Sequence, residues 1–113
     1  MEMELTELDP TLNRIRLNGR LDSPGVDSIE LRFTASVASA GKSAIVDLSG
    51  VSFLASMGIR MLISTARALH LKGAKIVLYG ASESVLSVLN HVALDQIIPI
   101  VPAELDAVAR LRG

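Results

Sequence analysis

Ala44-Ile45-Val46-Asp47-Leu48-Ser49-Gly50-Val51-Ser52-Phe53-Leu54-Ala55-Ser56-Met57-Gly58-Ile59-Arg60-Met61-Leu62-Ile63 is the stretch on which the fold turns. Its first five residues form an apolar run rich in β-branched side chains, the pattern of a buried strand. Ser49-Gly50 reads as the loop that follows it. Near Ser56 the period changes. Ile59, Leu62, Ile63, Ala66 and Leu69 recur at helical spacing, and the pattern stops near Lys72-Gly73. His70 and Lys72 occupy the last turn, where positive charge suits the negative end of the helix dipole. Ile76-Val77-Leu78-Tyr79 is again a buried strand, closed by Gly80.

Upstream, Met3 and Leu5 alternate with Glu2, Glu4 and Thr6, and Ile15 and Leu17 alternate with Arg14, Arg16 and Asn18. Period two marks half-buried strands. Asp9-Pro10 between them signals a turn, so the pair reads as a hairpin whose second strand ends at Gly19. Asp22-Ser23-Pro24 then announces a helix, with a capping residue followed by proline at the first helical position. Val26, Ile29, Phe33, Val37 and Ala40 make its apolar stripe, and Gly41 stops it. Downstream, Val85, Leu86, Leu89 and Val92 fit a short third helix. Ile97-Ile98-Pro99-Ile100 reads as a strand whose proline confines it to a sheet edge. Pro102 opens a last helix through Leu105, Val108, Ala109 and Leu111. The order β-β-α-β-α-β-α-β-α implies an α/β fold over residues 1–113 as a single domain. A mixed sheet of about five strands is expected, an initial hairpin followed by parallel β-α units with four helices.

The composition agrees. At 113 residues, a chain buries roughly 65% of the surface it exposes when unfolded, enough for a core without staples. Half the residues are apolar and 20% are charged, which excludes disorder. There is no Cys, so thiolate metal sites, redox dithiols and disulfides are excluded. Phe33, Phe53 and Tyr79 are the only aromatics, so the core must be aliphatic. Charge is unevenly spread. Residues 1–30 carry seven acids and three bases, residues 31–80 one acid and six bases, and residues 81–113 four acids and two bases. The basic middle reads first as solvated helix faces and second as a surface for an acidic partner. The start, Met1-Glu2-Met3-Glu4, is acidic, unlike a signal peptide, and no window approaches ~18 consecutive apolar residues. A soluble cytoplasmic protein without membrane insertion is expected.

Catalytic groups are scarce. Gly41-Lys42-Ser43 imitates the end of a P-loop, but Ser36 stands where the first glycine is needed and a strand follows where a helix should. Gly80-Ala81-Ser82 lacks the remaining glycines of a dinucleotide fingerprint and reads as a strand-to-helix turn. His70 and His91 have no metal-ligand spacing, and His91 with Asp95 reads as a local pair. No Gly-x-Ser-x-Gly elbow occurs. Asp47 is a possible base, but a hydrogen-bonded residue at the strand's C-terminal end fits its position better. Dispersed bases without aromatic platforms argue against nucleic acid. The chain is therefore expected to bind rather than catalyse, and to need no cofactor. An enzyme or nucleotide binder using the turns after Gly50 and Gly80 ranks last. Ser56 has two readings, a helix N-cap worth ~1 kcal/mol or a functional hydroxyl, and local pattern alone favours the cap.

The opening stretch resembles the signature of the STAS domain family, the anti-sigma factor antagonists. In that signature a hydrophobic strand ends Asp-Leu, and after a short loop Asp-Ser-x-Gly opens a helix. Asp47-Leu48, Phe53-Leu54 and Ser56-Met57-Gly58 stand in those places. Gly19-Arg20-Leu21-Asp22 matches the family's Gly-x-Leu-Asp, Lys72-Gly73-Ala74-Lys75 its break before the fourth strand, and Leu94-Asp95 the approach to its last strand. The resemblance implies that Ser56 is the phosphoacceptor of a partner kinase, the anti-sigma factor, and that a serine phosphatase reverses the modification. It implies a partner-binding surface of Asp22, Ser52, Phe53, Leu54, Ala55, Ser56, Met57, Gly58, Arg60 and Met61, with Gly58 admitting a close partner backbone and Met61 serving the contact or the core. Ala55 replaces the acid that precedes the family's serine. The alternative is a constitutive interaction subunit, for example on the ATPase of a lipid-transport complex, in which Ser56 is only a cap.

Overall fold

The expected hairpin is β1 (Glu2–Asp9) against β2 (Leu12–Leu21), in a computed structural model that describes Met1–Arg112. Asp9 fixes its turn, because Oδ1 accepts from the Thr11 N–H and the Thr11 hydroxyl, both at 2.7 Å. After the hairpin come α1 (Ser23–Phe33), β3 (Ser43–Leu54), α2 (Ser56–Leu71), β4 (Ile76–Tyr79), α3 (Glu83–His91), β5 (Ile100–Val101) and α4 (Glu104–Arg112). The sheet order is β1-β2-β3-β4-β5, antiparallel in the hairpin and parallel thereafter.

The layers follow from that order. Right-handed crossovers that always step in one direction place their helices on one face of the sheet. There, Ile15, Leu17, Val46, Leu48, Ile76 and Leu78 pack with α1, α2 and α3 in the main core. Because side chains alternate along a strand, Leu12, Ile45, Val77 and Tyr79 point the other way and are covered by Ala107 of α4. Among the described residues no helix is long and apolar enough to cross a membrane.

Several boundaries differ from the sequence reading. β2 continues past Gly19 to Leu21, and β3 past Leu48 to Leu54. Ser49-Gly50 is therefore not a loop. Register slips between Arg16 and Asn18 and between Gly19 and Arg20 absorb extra β3 residues as bulges, and pairing resumes at Asn18 with Gly50. Gly50 suits this close pairing, since a Cβ there would lie 2.9 Å from the backbone oxygen of Leu17 and would also displace the Asn18 side chain. α1 passes into a π-turn over Thr34–Ala38, where the Ser39 N–H reaches Thr34 O at 3.2 Å. The wider turn shifts the apolar register, so Ala38 is buried beside Val37 and Ala40 is exposed. Leu86, Val92 and Leu105, expected on apolar helix stripes, are exposed as well. Of the strand read at 97–100, only Ile100 is in β5. Ile98 is fully buried outside any strand, and β5 pairs through Ile100 and Val101 alone, at the expected edge. His91 and Asp95 form no ion pair among the described residues; His91 ends α3 and Asp95 lies in a 3-10 turn.

Candidate functional site

The C-terminal ends of β2 and β3 deliver the chain to the N-termini of α1 and α2, at the end of a parallel sheet where ligands and partners ordinarily meet the fold. One backbone bond ties the two deliveries together: the Ala55 N–H donates to Leu21 O at 2.9 Å. Asp22 then caps α1, its Oδ1 accepting from the Gly25 N–H at 2.9 Å while Oδ2 accepts from Arg20 Nε at 3.1 Å. The Gly25 N–H first, and the Arg20 guanidinium second, hold the Asp22 carboxyl below its ordinary range. The same guanidinium lies 4.3 Å from the centroid of the Phe53 ring. Asp22, Arg20 and Phe53 thus form one row across the ends of β2 and β3. The sequence places Arg20 only within the Gly19-Arg20-Leu21-Asp22 motif and does not reveal its role in this row. Its signal was local: a base two residues before a capping acid, on a strand end.

Ser56 is the first residue of α2 and exposed, and it is not the cap. Ala55 takes the cap position with extended backbone (φ −109°, ψ 173°) and offers no side-chain acceptor. Its carbonyl still accepts from the N–H groups of Gly58 and Ile59 at 3.0 and 3.2 Å. No acid stands in the first turn of α2, and Arg60 is exposed one turn on, so the local field is positive. Arg60 Nη1 approaches Met57 Sδ at 3.9 Å.

The expected contact residues divide into two layers. Ser52, Phe53, Ser56 and Arg60 are exposed, and Asp22, Ala55 and Met57 are partly exposed. Leu54, Gly58 and Met61 are buried and hold the core beneath them. Gly58 gives no partner a close approach: a Cβ there would lie 2.9 Å from Leu54 Cδ1 and 3.0 Å from Leu21 Cβ, so the glycine lets α2 sit down on β2 and β3. The Ser52 hydroxyl donates to Gly19 O at 3.3 Å and joins β3 to β2 where their register slips.

Other polar clusters are structural. Asp47 is hydrogen-bonded as expected, Oδ1 accepting from the Ser49 N–H at 2.9 Å and Oδ2 from Arg16 Nε at 3.3 Å, but it lies within β3 and not at its end, because the strand runs on to Leu54. Ser82 caps α3. Among the described residues no group of three or more His, Asp or Glu is arranged to hold a metal ion.

A family model for the STAS domain matches residues 3–107. The chain belongs to the STAS domain family. Solved structures share its fold. An anti-sigma factor antagonist from Mycobacterium paratuberculosis is 23% identical with a TM-score of 0.87, covering 99% of this chain and 94% of that one. An anti-sigma-factor antagonist (STAS) domain protein from Planctomyces limnophilus is 19% identical with a TM-score of 0.81, at 96% coverage of both. The Bacillus cell fate determinant SpoIIAA in its phosphorylated form is 21% identical with a TM-score of 0.72, covering 98% of this chain and all of that one. At these identities the likeness establishes a shared fold. No curated protein sequence matches this STAS domain.

Proposed function

We propose that this STAS domain is a cytoplasmic anti-sigma factor antagonist. It binds an anti-sigma factor serine kinase through Asp22, Arg20, Ser52, Phe53, Ala55, Ser56, Met57 and Arg60, and so releases a sigma factor. The observation that carries the reading is the placement of Ser56: exposed, free of capping duty, and next in the chain to the partly exposed Ala55 and Met57. The kinase switches the contact off. The Ser56 hydroxyl oxygen bonds to the γ-phosphorus of kinase-bound, Mg²⁺-chelated ATP, the bridging bond to ADP breaks, and the hydroxyl proton passes to a kinase base. A serine phosphatase restores the hydroxyl.

The physics suits a switch without refolding. Phosphate adds about −1.5 to −2 charges at a helix N-terminus, where the dipole and unpaired N–H groups accept an anion. The domain keeps its fold while its surface gains a strongly hydrated dianion. Burying that group against an unprepared partner costs several kcal/mol, and each 1.4 kcal/mol is tenfold in affinity. Ser56→Asp is expected to weaken partner binding at least tenfold while the Tm moves by no more than a few degrees. Loss of the fold in that variant would contradict the argument.

Ala55 favours a second reading. Without a carboxylate at the cap, kinase recognition lacks the acid of the family signature, and a constitutive interaction subunit needs no kinase. Phosphate mapping on protein from its own cells separates the two. Trypsin releases residues 43–60, which hold Ser43, Ser49, Ser52 and Ser56, so fragment spectra must place the phosphate. Phosphate on Ser56 supports the partner switch. A fully covered peptide that is never modified, together with co-purification with a transporter ATPase, supports the constitutive subunit.

A further inference from the structure

At the far end of α2 from Ser56 the molecule carries a second concave surface. Fourteen residues separate Ser56 from His70, about 21 Å along a helix axis. There the C-terminal ends of α2 and α4 and the start of β4 enclose a groove of about 580 Å³. That size lies within the ~300–1,000 Å³ typical of small-molecule sites. Ala74, Ile76, Ile97, Pro99 and Leu111 line it, with no aromatic residue, so a flat ring would find nothing to stack on and a methylene chain finds aliphatic contact throughout. Leu71, 86% exposed, and Ile97, 54% exposed, leave apolar surface in water beside it.

The polar lining is all of one sign. Arg67, His70, Lys75 and Arg110 line the groove, and no Asp or Glu does. The six salt bridges among the described residues use none of the four. Two helix C-termini end here, each worth about −0.5 charge. Together they offset about one unit. Arg67, Lys75 and Arg110 supply three, so about two positive charges remain among the described residues. An aliphatic lining beneath cations that have no acidic partner among the described residues fits a chain with one anionic end.

We propose that this groove binds a free medium-chain fatty carboxylate, its tail along the aliphatic lining and its carboxylate on the arginines, in the bidentate geometry that guanidinium offers. The site is independent of the Ser56 surface and of the function proposed for it.

Titration of the full chain with octanoate and decanoate below micelle formation, followed by amide chemical shifts, tests this. Saturable shifts confined to residues 66–77, 97–99 and 110–111 are expected. Each buried methylene is worth about fourfold in affinity, so decanoate binds about an order of magnitude tighter than octanoate. Arg67→Glu with Arg110→Glu, both at exposed positions, weakens decanoate at least tenfold with an unchanged Tm. The proposal is overturned by shifts that do not saturate, by shifts centred on residues 52–60, or by an equal response to decyltrimethylammonium. Binding to phosphatidylglycerol vesicles without any response to free decanoate overturns it too and identifies a membrane surface instead.

Discussion

Asp22 and Ala55 occupy equivalent places, one before each of the two helices at the candidate site, and only Asp22 has a side chain that caps. The Asp22 cap is legible in the sequence because every partner in it lies within three residues. The Ser56 position is not, because the Ala55–Leu21 hydrogen bond that fixes where α2 begins joins residues 34 apart in the chain. That one-residue shift turns Ser56 outward and leaves its hydroxyl without a structural task. Ser56→Ala should therefore change the unfolding free energy by no more than about 0.5 kcal/mol, the range of ordinary surface substitutions. Gly58→Ala, two residues on, forces a methyl to 2.9 Å from Leu54 Cδ1 and 3.1 Å from Leu21 O. It should cost about 1–3 kcal/mol, as overpacking does. Urea denaturation of the two variants checks both statements. Equal effects would mean that Gly58 is not a packing constraint.

Among the elements, α4 is held by a polar tie at each end. Glu104 Oε1 accepts from Arg14 Nη1 at 2.9 Å and from the Tyr79 hydroxyl at 3.0 Å, linking the helix start to β2 and β4. A second tie closes the far end, where Arg112 Nη2 reaches Asp9 Oδ2 at 2.6 Å. Arg14 first, and the Tyr79 hydroxyl after it, hold the Glu104 carboxyl below its ordinary range. A carboxyl with a depressed folded pKa stabilises the fold above its unfolded value near 4.3. That contribution fades as pH falls through the folded pKa. The urea midpoint should accordingly drop as the solution is acidified below about pH 4.3, and Glu104→Gln should flatten part of that drop. A variant with the wild-type pH profile would remove Glu104 from the account. The strands and helices were legible as types because their periods are local. Their ends were not: β3 runs on to Leu54 because β2 keeps offering partners across two bulges, and α1 widens so that Val37 and Ala38 can both be buried. Pairing and packing decide such boundaries, and neither is visible in a short window.

For the molecule as a whole, β3 is the middle strand, paired on both sides and covered on both faces, while β1 and β5 are edges. Amide exchange under native conditions should be slowest at residues 45–48 and faster in β1, since protection follows burial and shared hydrogen bonds. Slowest exchange in β1 would contradict this. The mixed sheet and its helices were foreseen because β-α alternation leaves few topologies. The basic groove was not, because Arg67, Lys75 and Arg110 come together only when α2 and α4 end side by side. The strand order has one more consequence. Neighbours in the sheet are neighbours in the chain, so no strand must be inserted between two that are already paired. Synthesis at about 5–20 residues per second gives each strand its predecessor as a finished template as it leaves the ribosome. The sheet can therefore grow in the order of translation, with α4 arriving last to seal the second face.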